Sequence, residues 1–332
     1  MESKTTKSSE KTKFKRLKKW ENELNKCIRC GYCYELCPLY KSFNWESNTP
    51  RGKLILLHGL ISGKIKLNQD IAEKMFQCFY CQQCSDNCSA GVPITDILTD
   101  ARADFIDLGV DVEGTTSQLK EDLCSACGMC VHVCKPEALS FVEDELGNKK
   151  VVVDKVKCKG CGLCIATCPS GVIFQKHGFD VSPSELKQKI TSVLEESETK
   201  FIVFICNWSL FPGLQMSQSQ TLIKTPYGMI ITMCAGRINP ELILHAFKEG
   251  AWGVMVAGCP PKECEHDGNY KARRRVLLLK SSLKQMNIEP ERLRMVWFSK
   301  GQSAKLKKAI NDFLKDIEKL GPIKESCLIS IW

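Results

Sequence analysis

One spacing of cysteines recurs four times along this chain of 332 residues. Each copy reads C-x2-C-x2-C-x3-C, and together the copies contain 16 of the 21 cysteines. They are motif 1 (Cys27, Cys30, Cys33, Cys37), motif 2 (Cys78, Cys81, Cys84, Cys88), motif 3 (Cys124, Cys127, Cys130, Cys134) and motif 4 (Cys158, Cys161, Cys164, Cys168). Three thiolates on one tight turn can cap one face of a [4Fe-4S] cube. The pattern therefore predicts four cubane iron–sulfur clusters and a protein that handles electrons.

The four motifs are expected to work in crossed pairs. In a two-cluster module the fourth cysteine of each motif lies on the following helix and reaches the neighbouring cube. Motif 1 therefore pairs with motif 2, and motif 3 pairs with motif 4. The predicted ligand sets are Cys27, Cys30, Cys33 and Cys88; Cys78, Cys81, Cys84 and Cys37; Cys124, Cys127, Cys130 and Cys168; and Cys158, Cys161, Cys164 and Cys134.

Three other classes of protein fit this pattern poorly. Zinc sites need two C-x2-C pairs at finger spacing and have no role for a crossed fourth cysteine. Disulfide scaffolds are far shorter, and the opening residues MESKTTKSSEKTKFKRLKKW lack the apolar core of a signal peptide. No apolar run reaches the roughly 18 residues that span a bilayer, since FIVFICNWSLFPGL from Phe201 is short and interrupted. We expect a cytoplasmic protein with reduced, metal-bound cysteines and no membrane span.

The formal net charge of +9 favours nucleic-acid binding only until the predicted clusters are counted. A cluster held by four thiolates carries about two negative charges, so four or five clusters cancel the excess. The basic tail, residues 1–19, is expected to be a solvated, partly disordered arm, with docking to an acidic partner as the alternative. Its cations are Lys4, Lys7, Lys11, Lys13, Lys15, Arg16, Lys18 and Lys19. No other basic patch is interleaved with aromatic residues, so no nucleic-acid partner is expected.

Two cluster modules are predicted in the first half of a multidomain chain. Residues 20–112 contain motifs 1 and 2, and their apolar positions recur at helical spacing in Arg51–Ile61 and Ile94–Leu108. This predicts an α-helical dicluster ferredoxin module. Residues 118–178 contain motifs 3 and 4, and only 23 residues separate Cys134 from Cys158. Those residues read as a β-hairpin, which predicts a compact ferredoxin module of the βαββαβ type.

The remaining chain predicts an α/β domain. Ser182, Pro183 and Glu185 form a helix N-cap signature, so residues 182–197 are expected to be a connector helix. Residues 198–320 alternate apolar runs with helical segments, which predicts a doubly wound parallel sheet. The runs are Phe201–Ile205, Met229–Met233, Gly253–Ala257 and Leu293–Phe298, and the helical segments are about 239–250, 270–285 and 303–320. Residues 321–332 are expected to be a C-terminal tail.

Four of the five remaining cysteines lie at the ends of predicted strands. Cys206, Cys234 and Cys259 follow three successive strands, and Cys264 lies five residues after Cys259. Ligands of an open α/β sheet bind beyond the carboxyl ends of its strands, and a [2Fe-2S] cluster takes four cysteines. We expect a [2Fe-2S] cluster here, with ordinary buried cysteines as the alternative. The fifth, Cys327, is expected to be structural.

Charged residues surround this predicted site. Arg237, Lys262 and the run Lys271–Arg275 are expected to offset the cluster charge and to meet an acidic partner. His266 lies in the same loop as Cys264 and could tune the cluster. A solvent-exposed histidine is the expected role, because no catalytic partner is in view.

These residues resemble a known family. Cys206-Asn207-Trp208, Met233-Cys234-Ala235-Gly236-Arg237, the loop Gly258–Cys264 and Gly268-Asn269-Tyr270-Lys271 are similar to the delta subunit of methyl-viologen-reducing hydrogenase. The resemblance implies a [2Fe-2S] cluster and electron transfer between a hydrogenase or formate dehydrogenase and the flavoprotein A subunit of heterodisulfide reductase. The family usually has a second cysteine three residues after the first, and Ser209 stands at that position here.

The first module also resembles known iron–sulfur subunits. With Pro50-Arg51-Gly52 between its motifs, it is similar to the C subunit of heterodisulfide reductase and to the iron–sulfur subunit of glycolate oxidase. The proline that usually follows the last cysteine of such motifs is replaced by Ser89 after motif 2 and by Lys135 after motif 3. All sixteen cysteine ligands are nevertheless present.

These features predict an electron-transfer subunit with no catalytic site of its own. No G-x-G-x-x-G fingerprint follows a strand, and no tandem Cys-Cys-Gly motif of a disulfide-cleaving subunit is present. The chain is expected to relay electrons between a hydrogenase, formate dehydrogenase or other redox enzyme and a flavoprotein resembling the A subunit of heterodisulfide reductase, which can be electron-bifurcating. The alternative is an iron–sulfur subunit of a non-bifurcating dehydrogenase or reductase. The first of these functions is expected in an anaerobic complex.

Overall fold

The computed structural model describes residues 13–37, 39–40, 45–176, 182–209, 226–299 and 302–328. The chain divides into two compact units. The first contains the residues up to Thr116 together with Lys155–Lys159, and the second contains Ser117–Asp154 together with the chain from Gly160 onward. Within the described ranges, no helix has both the length and the apolar character needed to cross a membrane.

The first unit is built from helices. They are Glu21–Asn25, Tyr32–Glu35, Pro50–Ile61, Gln69–Phe76, Gln83–Asp86 and Ile94–Asp107, with 3-10 turns at Leu17–Trp20 and Glu46–Asn48. The helix from Pro50 begins with proline in its first turn, and the Thr49 hydroxyl accepts a hydrogen bond from Gly52 N over 3.2 Å. Leu54 and Leu57 of this helix pack against Ile97, Leu98 and other apolar residues of the helix from Ile94 to form the core.

Part of the predicted basic tail packs on the helix Ile94–Asp107, so residues 14–17 do not form a free arm, although the cations of residues 13–19 are exposed as expected. Leu17 is fully buried, and Phe14 contacts the Phe105 ring edge-on. The Asp104 carboxylate accepts hydrogen bonds from the backbone N–H groups of Arg16 and Leu17. Apolar burial and these hydrogen bonds hold the segment on the helix from Ile94. Lys4, Lys7 and Lys11 lie outside the described residues.

The second unit begins with short strands and helices around motifs 3 and 4. The strands are Gln118–Leu119, Leu139–Glu143, Lys149–Val153 and Ile173–Phe174, and the helices are Met129–Val133 and Leu163–Thr167, with a 3-10 turn at Glu121–Leu123. The outer two strands pair with each other, and the inner two form an antiparallel hairpin in which Phe141 lies opposite Val151. The small apolar core of this part of the unit includes Val151, Ile165, Val172 and Ile173.

A four-stranded parallel sheet forms the rest of the second unit, as the alternating pattern predicts. Its strands are Phe201–Cys206, Gly228–Thr232, Gly253–Gly258 and Leu293–Trp297. In space the order is second, first, third, fourth, and every pair is parallel. The helices are Pro183–Glu196, Pro240–Lys248, Gly268–Gln285, Ser303–Leu320 and Glu325–Leu328, with 3-10 turns at Ala235–Arg237 and Pro290–Arg292.

One face of this sheet packs on the long helix near the C-terminus. Phe201, Val203 and Ile205 form a core with Ile310 and Phe313 of the helix Ser303–Leu320. The helices from Pro183, Pro240 and Gly268 also contact the strands. Because neighbouring strands are parallel, their carboxyl ends meet at one edge, where the residues after each strand lie close together.

Candidate metal centres

Four cysteines from motifs 1 and 2 line one cavity of about 400 Å³ in the first unit, which we call cavity A. They are Cys37, Cys78, Cys81 and Cys84. The loop that carries the last three leaves the helix Gln69–Phe76 and turns through Tyr80 and Gln82, both at positive φ. That left-handed backbone is uncommon for residues with a side chain, and it folds the loop tightly enough to bring the thiols together.

A second cavity of about 370 Å³, cavity B, is lined by the other four cysteines of these two motifs. They are Cys27, Cys30, Cys33 and Cys88. Here the loop turns through Arg29 and Gly31 at positive φ before the short helix from Tyr32. Cys30 is exposed, and its Sγ lies 3.7 Å from the Ser89 hydroxyl. The cysteines of cavity B are therefore less buried than those of cavity A, where Cys37 and Cys84 are buried.

The fourth cysteine of each motif lines the cavity of its partner motif. Cys37 of motif 1 lies in cavity A, and Cys88 of motif 2 lies in cavity B. These are the two crossed ligand sets predicted from the spacing. Four thiols around one cavity are the donor set that a [4Fe-4S] cluster requires, so the residues present fit the group.

Burial makes four of these thiols, those of Cys33, Cys37, Cys81 and Cys84, difficult to ionise in the absence of a cation. It raises the pKa of Cys33 to about 11 and that of Cys81 to about 12, and it raises the pKa of Cys84 well above the ordinary value. Cys30 differs, because hydrogen bonds from the Tyr32 backbone and then the Ser89 hydroxyl lower its pKa. Buried thiols become thiolates when a metal replaces their protons.

The second unit contains a third such cavity, cavity C, of about 300 Å³. It is lined by Cys124, Cys127, Cys130 and Cys168, again three cysteines of one motif and the fourth of its partner. Ala126 and Gly128 turn its loop at positive φ, and Gly128 precedes the helix Met129–Val133. Leu119, Val151 and Ile173 supply apolar walls. The donor set again fits a [4Fe-4S] cluster.

The members of the fourth predicted set are placed as follows. Cys134, Cys161 and Cys164 belong to the second unit, and Cys158 belongs to the segment Lys155–Lys159 of the first. Cys164 is buried with its Sγ 3.2 Å from the Ser117 hydroxyl. The Cys134 Sγ accepts a hydrogen bond from Ala138 N over 3.3 Å. The ligation of a cluster by this set stays a prediction.

Four further thiols gather at the carboxyl edge of the parallel sheet, and we call them the four-thiol site. Cys206 ends the first strand, Cys234 lies two residues after the second, Cys259 directly follows the third, and Cys264 lies in the loop beyond it. All four are buried, with 1% to 6% of their surface exposed. The sequence predicted this placement, because successive parallel strands deliver their last residues to one edge.

The thiols of this site are close enough to share a metal centre. The Sγ atoms of Cys206 and Cys259 are 3.8 Å apart, and the ligating atoms of Cys234, Cys264 and His266 lie within 4.8 Å of one another. Two thiolates bound tetrahedrally to one metal at about 2.3 Å would be separated by about 3.8 Å. Ser209, where the resembling family has a cysteine, donates a hydrogen bond to Cys259 Sγ over 3.0 Å.

The ionisation of the four thiols is interdependent. Hydrogen bonds from Cys234 and Cys259 lower the pKa values of Cys206 and of Cys264. The same contacts with Cys206 and Cys264 raise the pKa values of Cys234 and Cys259. Some thiols therefore ionise easily only while their neighbours stay protonated. A positively charged metal centre removes this conflict, so the donor set fits an iron–sulfur group.

His266 is a buried neighbour of this site, so the expectation of an exposed histidine is wrong. It is 2% exposed and packs edge-on against Trp208, with ring centroids 4.8 Å apart. A hydrogen bond from His266 contributes to lowering the pKa of Cys264. Its Nε2 has no hydrogen-bond partner among the described residues. The position of His266 two residues after Cys264 was the only sequence signal for this role.

Arg237 and Arg275 join the ferredoxin-like part of the second unit to the loop that carries Cys234. Arg237 Nη1 donates to Gln175 Oε1 over 2.9 Å. Arg275 donates to the Gly236 carbonyl and, over 3.0 Å, to the Thr167 hydroxyl. Arg237 is only 3% exposed. The expectation that it meets an acidic partner is therefore wrong, because its guanidinium is used inside the unit.

Comparisons with known protein families support both the cluster modules and the sheet domain. Residues 201–321 match the methyl-viologen-reducing hydrogenase delta subunit. Residues 23–92 and 123–172 each match a 4Fe-4S dicluster domain. The chain is therefore a fusion of parts that match separate families, and it contains ferredoxin-type domains.

Individual relatives cover different parts of the chain. The A subunit of the ferredoxin:CoB-CoM heterodisulfide reductase of Methanosarcina mazei is 40% identical over 205 residues, which are 61% of this chain and 25% of that protein. The chain thus spans about a quarter of the length of the heterodisulfide reductase A subunits it matches. The probable glycolate oxidase iron–sulfur subunit of Bacillus subtilis is 35% identical over 83 residues, 25% of this chain and 19% of that protein.

A smaller relative is matched almost throughout. The iron–sulfur D subunit of the vhc F420-non-reducing hydrogenase of Methanococcus voltae is 42% identical over 130 residues, which are 39% of this chain and 90% of that protein. A second such D subunit, from Archaeoglobus profundus, is 38% identical over 132 residues, 39% of this chain and 96% of that protein. By its sheet domain, with four buried thiols at the edge of the sheet, this chain belongs to the family of the iron–sulfur D subunits of F420-non-reducing hydrogenases.

Proposed function

We propose that this chain is an electron relay that holds four [4Fe-4S] clusters and one [2Fe-2S] cluster. The observation that carries the proposal is the grouping of thiols: cavities A, B and C are each lined by four cysteines of one predicted ligand set. When bound, such clusters accept and donate single electrons. The protein provides the thiolate ligands, apolar walls that limit water, and fixed positions for the centres.

The contact between the ferredoxin-like part and the sheet domain is the proposed route to the four-thiol site. A Cβ added to Gly236 would lie 2.7 Å from Gly268 Cα and 2.8 Å from Leu163 Cδ2. Leu163 directly precedes Cys164, and Gly236 lies two residues after Cys234. The loops of two predicted centres therefore touch, with the Leu163 side chain against the backbone of Gly236. This close approach shortens the distance that an electron would travel between the two predicted centres.

The partners are proposed from the relatives. The relatives are named as subunits of redox enzymes, namely the A subunit of a heterodisulfide reductase and the D subunit of a hydrogenase. We assign this chain a position between a hydrogenase, formate dehydrogenase or other redox enzyme and a flavoprotein like the A subunit of heterodisulfide reductase, in an anaerobic cytoplasmic complex. The chain itself contributes no substrate site in this proposal.

The finer organisation is part of the same proposal. The α-helical dicluster module occupies residues 20–112, the βαββαβ ferredoxin module 118–178, the connector helix 182–197 and the doubly wound sheet domain 198–320. The order of strands and helices in the second unit supports the βαββαβ assignment, and helices on the parallel sheet support the doubly wound one.

A second function is favoured by the glycolate oxidase relative. In that case the chain would be the iron–sulfur subunit of a dehydrogenase or reductase whose partner contains no bifurcating flavin. The sheet domain and its four-thiol site favour the first function, because they match a hydrogenase protein over 90% of its length.

The decisive experiment is anaerobic purification of the native complex, followed by mass spectrometry and by iron, sulfide and flavin analysis. We expect a flavoprotein with bound FAD and a hydrogenase or formate dehydrogenase beside this chain. A complex with a dehydrogenase but no FAD protein related to heterodisulfide reductase would support the second function. Recovery of the chain without iron would contradict both.

A further inference from the structure

Lys53 places a fully buried amino group at cavity A; burial lowers the pKa of this group, and negative charge on Cys78 and Cys37 opposes that shift. The Lys53 side chain lines the cavity and is 1% exposed, and Nζ donates to the Gln77 carbonyl over 2.8 Å. Among the described residues, Lys53 forms no ion pair with a carboxylate. A buried ammonium group is costly unless an anion compensates it. Within the described ranges, the groups whose negative charge favours the ammonium form of Lys53 are the thiolates of Cys78, Cys37 and Cys84, which belong to the ligand set of cavity A.

Arg102 is a second buried cation close to the same ligands. It is 0% exposed, and Nη2 donates to the carbonyl of the predicted ligand Cys78 over 3.2 Å. The guanidinium carbon lies 4.8 Å from the Phe76 ring centroid and 4.4 Å from that of Tyr80. In the described part of the chain Arg102 has no carboxylate partner, and its Nη1 has no hydrogen-bond acceptor. Its charge is permanent.

A neutral donor completes the lining of cavity A. Gln83 precedes the ligand Cys84, and its side chain is 6% exposed. Its Nε2 has no partner among the residues that the structure describes. A buried amide N–H without an acceptor costs free energy, so an acceptor in the cavity is expected. Cluster sulfurs accept such hydrogen bonds, and hydrogen bonds to sulfur are one determinant of the cluster potential.

Cavity B lacks this arrangement. Its cations are Arg29, which is exposed, and Arg51, whose side chain is 25% exposed. Arg51 Nε is paired with Glu46 Oε1 at 2.7 Å, so part of its charge is already compensated. Cys30 of this cavity is exposed to water, which screens charge at that ligand. The two cavities of the first unit therefore differ in the net charge and the polarity of their surroundings.

We propose that Lys53 and Arg102, with the amide of Gln83, make the cluster of cavity A the more readily reduced cluster of the first unit. The inference rests on the proposed function, since it needs clusters in cavities A and B. Reduction adds one electron from a donor and leaves the thiolate and sulfide bonds intact, so the cluster gains one negative charge. Buried positive charge stabilises that added charge.

Two opposing effects decide the order of reduction. Burial alone disfavours the reduced cluster, because water no longer solvates its extra charge. A nearby buried cation opposes this, and its attraction is stronger at an effective dielectric constant of about 20 than at about 80 in water. Cavity A has two such cations without carboxylate partners among the described residues, and its predicted amide hydrogen bond acts in the same direction. The cations therefore prevail, and cavity A becomes the electron sink of the pair.

The test is an EPR-monitored redox titration of the full-length chain. The signal of each cavity is assigned by its loss in Cys81→Ser for cavity A and in Cys30→Ser for cavity B. In the wild-type chain we expect the cavity A signal to appear at the higher potential. Lys53→Met keeps the length of the buried side chain and removes its charge. It is expected to move the cavity A midpoint to lower potential and to leave the cavity B midpoint in place.

Lys26→Met is the matched control. Lys26 directly precedes the ligand Cys27, but its side chain is 57% exposed and pairs with Glu23 at 2.7 Å. Removing this screened charge should change neither midpoint appreciably. An equal shift from Lys26→Met and Lys53→Met would mean that burial of the cation is irrelevant.

The outcomes separate the inferred order of reduction from the proposal that cavities A and B hold clusters. If the wild-type cavity A cluster is reduced after that of cavity B, or if Lys53→Met keeps both clusters with unchanged midpoints, the inference is overturned while the proposed function stands. If Lys53→Met loses the cavity A cluster, the inference stands or falls on which of the two clusters is reduced first in the wild-type chain. If iron analysis finds no clusters in the first unit of the wild-type chain, the proposed function fails as well.

Discussion

At the scale of single residues, what matters most is which thiol lies in which cavity. Cys37 and Cys88 each end the motif of one cavity and line the other. The consequence is that loss of Cys37 or Cys88 should damage the cluster of the partner motif rather than that of its own motif. Gln83 and His266 each bury one side-chain nitrogen without a partner among the described residues, and both lie beside predicted centres.

The crossing can be tested at Cys37. Cys37→Ala should remove the cluster of Cys78, Cys81 and Cys84 and leave the cluster of Cys27, because Cys37 lines cavity A. EPR of the reduced chain and a loss of about four iron atoms measure this. Cys88→Ala is the reciprocal control and should remove only the cavity B cluster. If Cys37→Ala instead abolished the cavity B signal alone, the crossed assignment would be wrong.

The four-thiol site can be tested with serine substitutions. Cys234→Ser and Cys259→Ser should each lose the [2Fe-2S] signal and most electron transfer to the partner enzyme, since cysteine ligands hold the cluster. Cys327→Ser is the control, because Cys327 is only partly buried and its Sγ contacts the Asn287 carbonyl at 3.5 Å. Full signal and turnover in both ligand variants would identify these thiols as ordinary core residues.

At the scale of elements, short helices and turns position the centres, and glycines allow them to approach. Gly162 lies between Cys161 and Leu163 at φ 74°, and a Cβ there would collide with the Arg237 side chain. The Ala235–Arg237 turn contacts the helix Leu163–Thr167 in the same place. The close contact between the Ala235–Arg237 turn and the helix Leu163–Thr167 therefore depends on glycine at position 162.

Gly162→Ala should weaken this contact. Positive φ costs alanine about 1–2 kcal/mol, and displacement of Arg237 adds about 1–3 kcal/mol. Gly171→Ala is the matched control, because Gly171 also has positive φ, at 63°, but a Cβ there meets nothing within 4 Å. We expect Gly162→Ala to unfold at clearly lower denaturant concentration and to transfer electrons to the four-thiol site more slowly. Equal effects of the two substitutions would show that only backbone strain matters.

At the scale of the whole molecule, the chain combines two compact units with 20 cysteines that are predicted to be metal ligands. The ferredoxin-like part and the sheet domain belong to one unit, which shares Arg237, Arg275 and their partners. A chain cut at residue 197 would expose the surface around Gly162 and Thr167. Point substitutions are therefore a cleaner test of the sheet domain than deletion.

The total metal content is a prediction for the full chain. Four [4Fe-4S] clusters and one [2Fe-2S] cluster require about 18 iron atoms and the same number of acid-labile sulfides per chain. Anaerobic purification followed by iron, sulfide and zinc analysis measures this. About eight iron atoms, or stoichiometric zinc, would contradict the cluster assignment. A deficit of two iron atoms would point to the four-thiol site alone.

The sequence by itself determined the local features of this protein. The Cys-x2-Cys steps predicted tight ligand loops, and Ser182-Pro183 and Asn239-Pro240 predicted helix starts that the structure places at Pro183 and Pro240. Strand order along the chain placed Cys206, Cys234 and Cys259 at one edge, because parallel strands share their carboxyl ends. Each of these inferences depends on residues close in sequence or on a repeating topology.

Only the tertiary structure decided which distant residues surround each centre. Lys53 and Arg102 are 49 residues apart and both are buried near cavity A, whereas a lysine and an arginine in a sequence are expected at the surface. Arg237 was expected to meet an acidic partner and His266 to be exposed to solvent, and both are buried. The physical reason is that burial of a polar group depends on the partners that packing brings to it, and those partners come from distant parts of the chain.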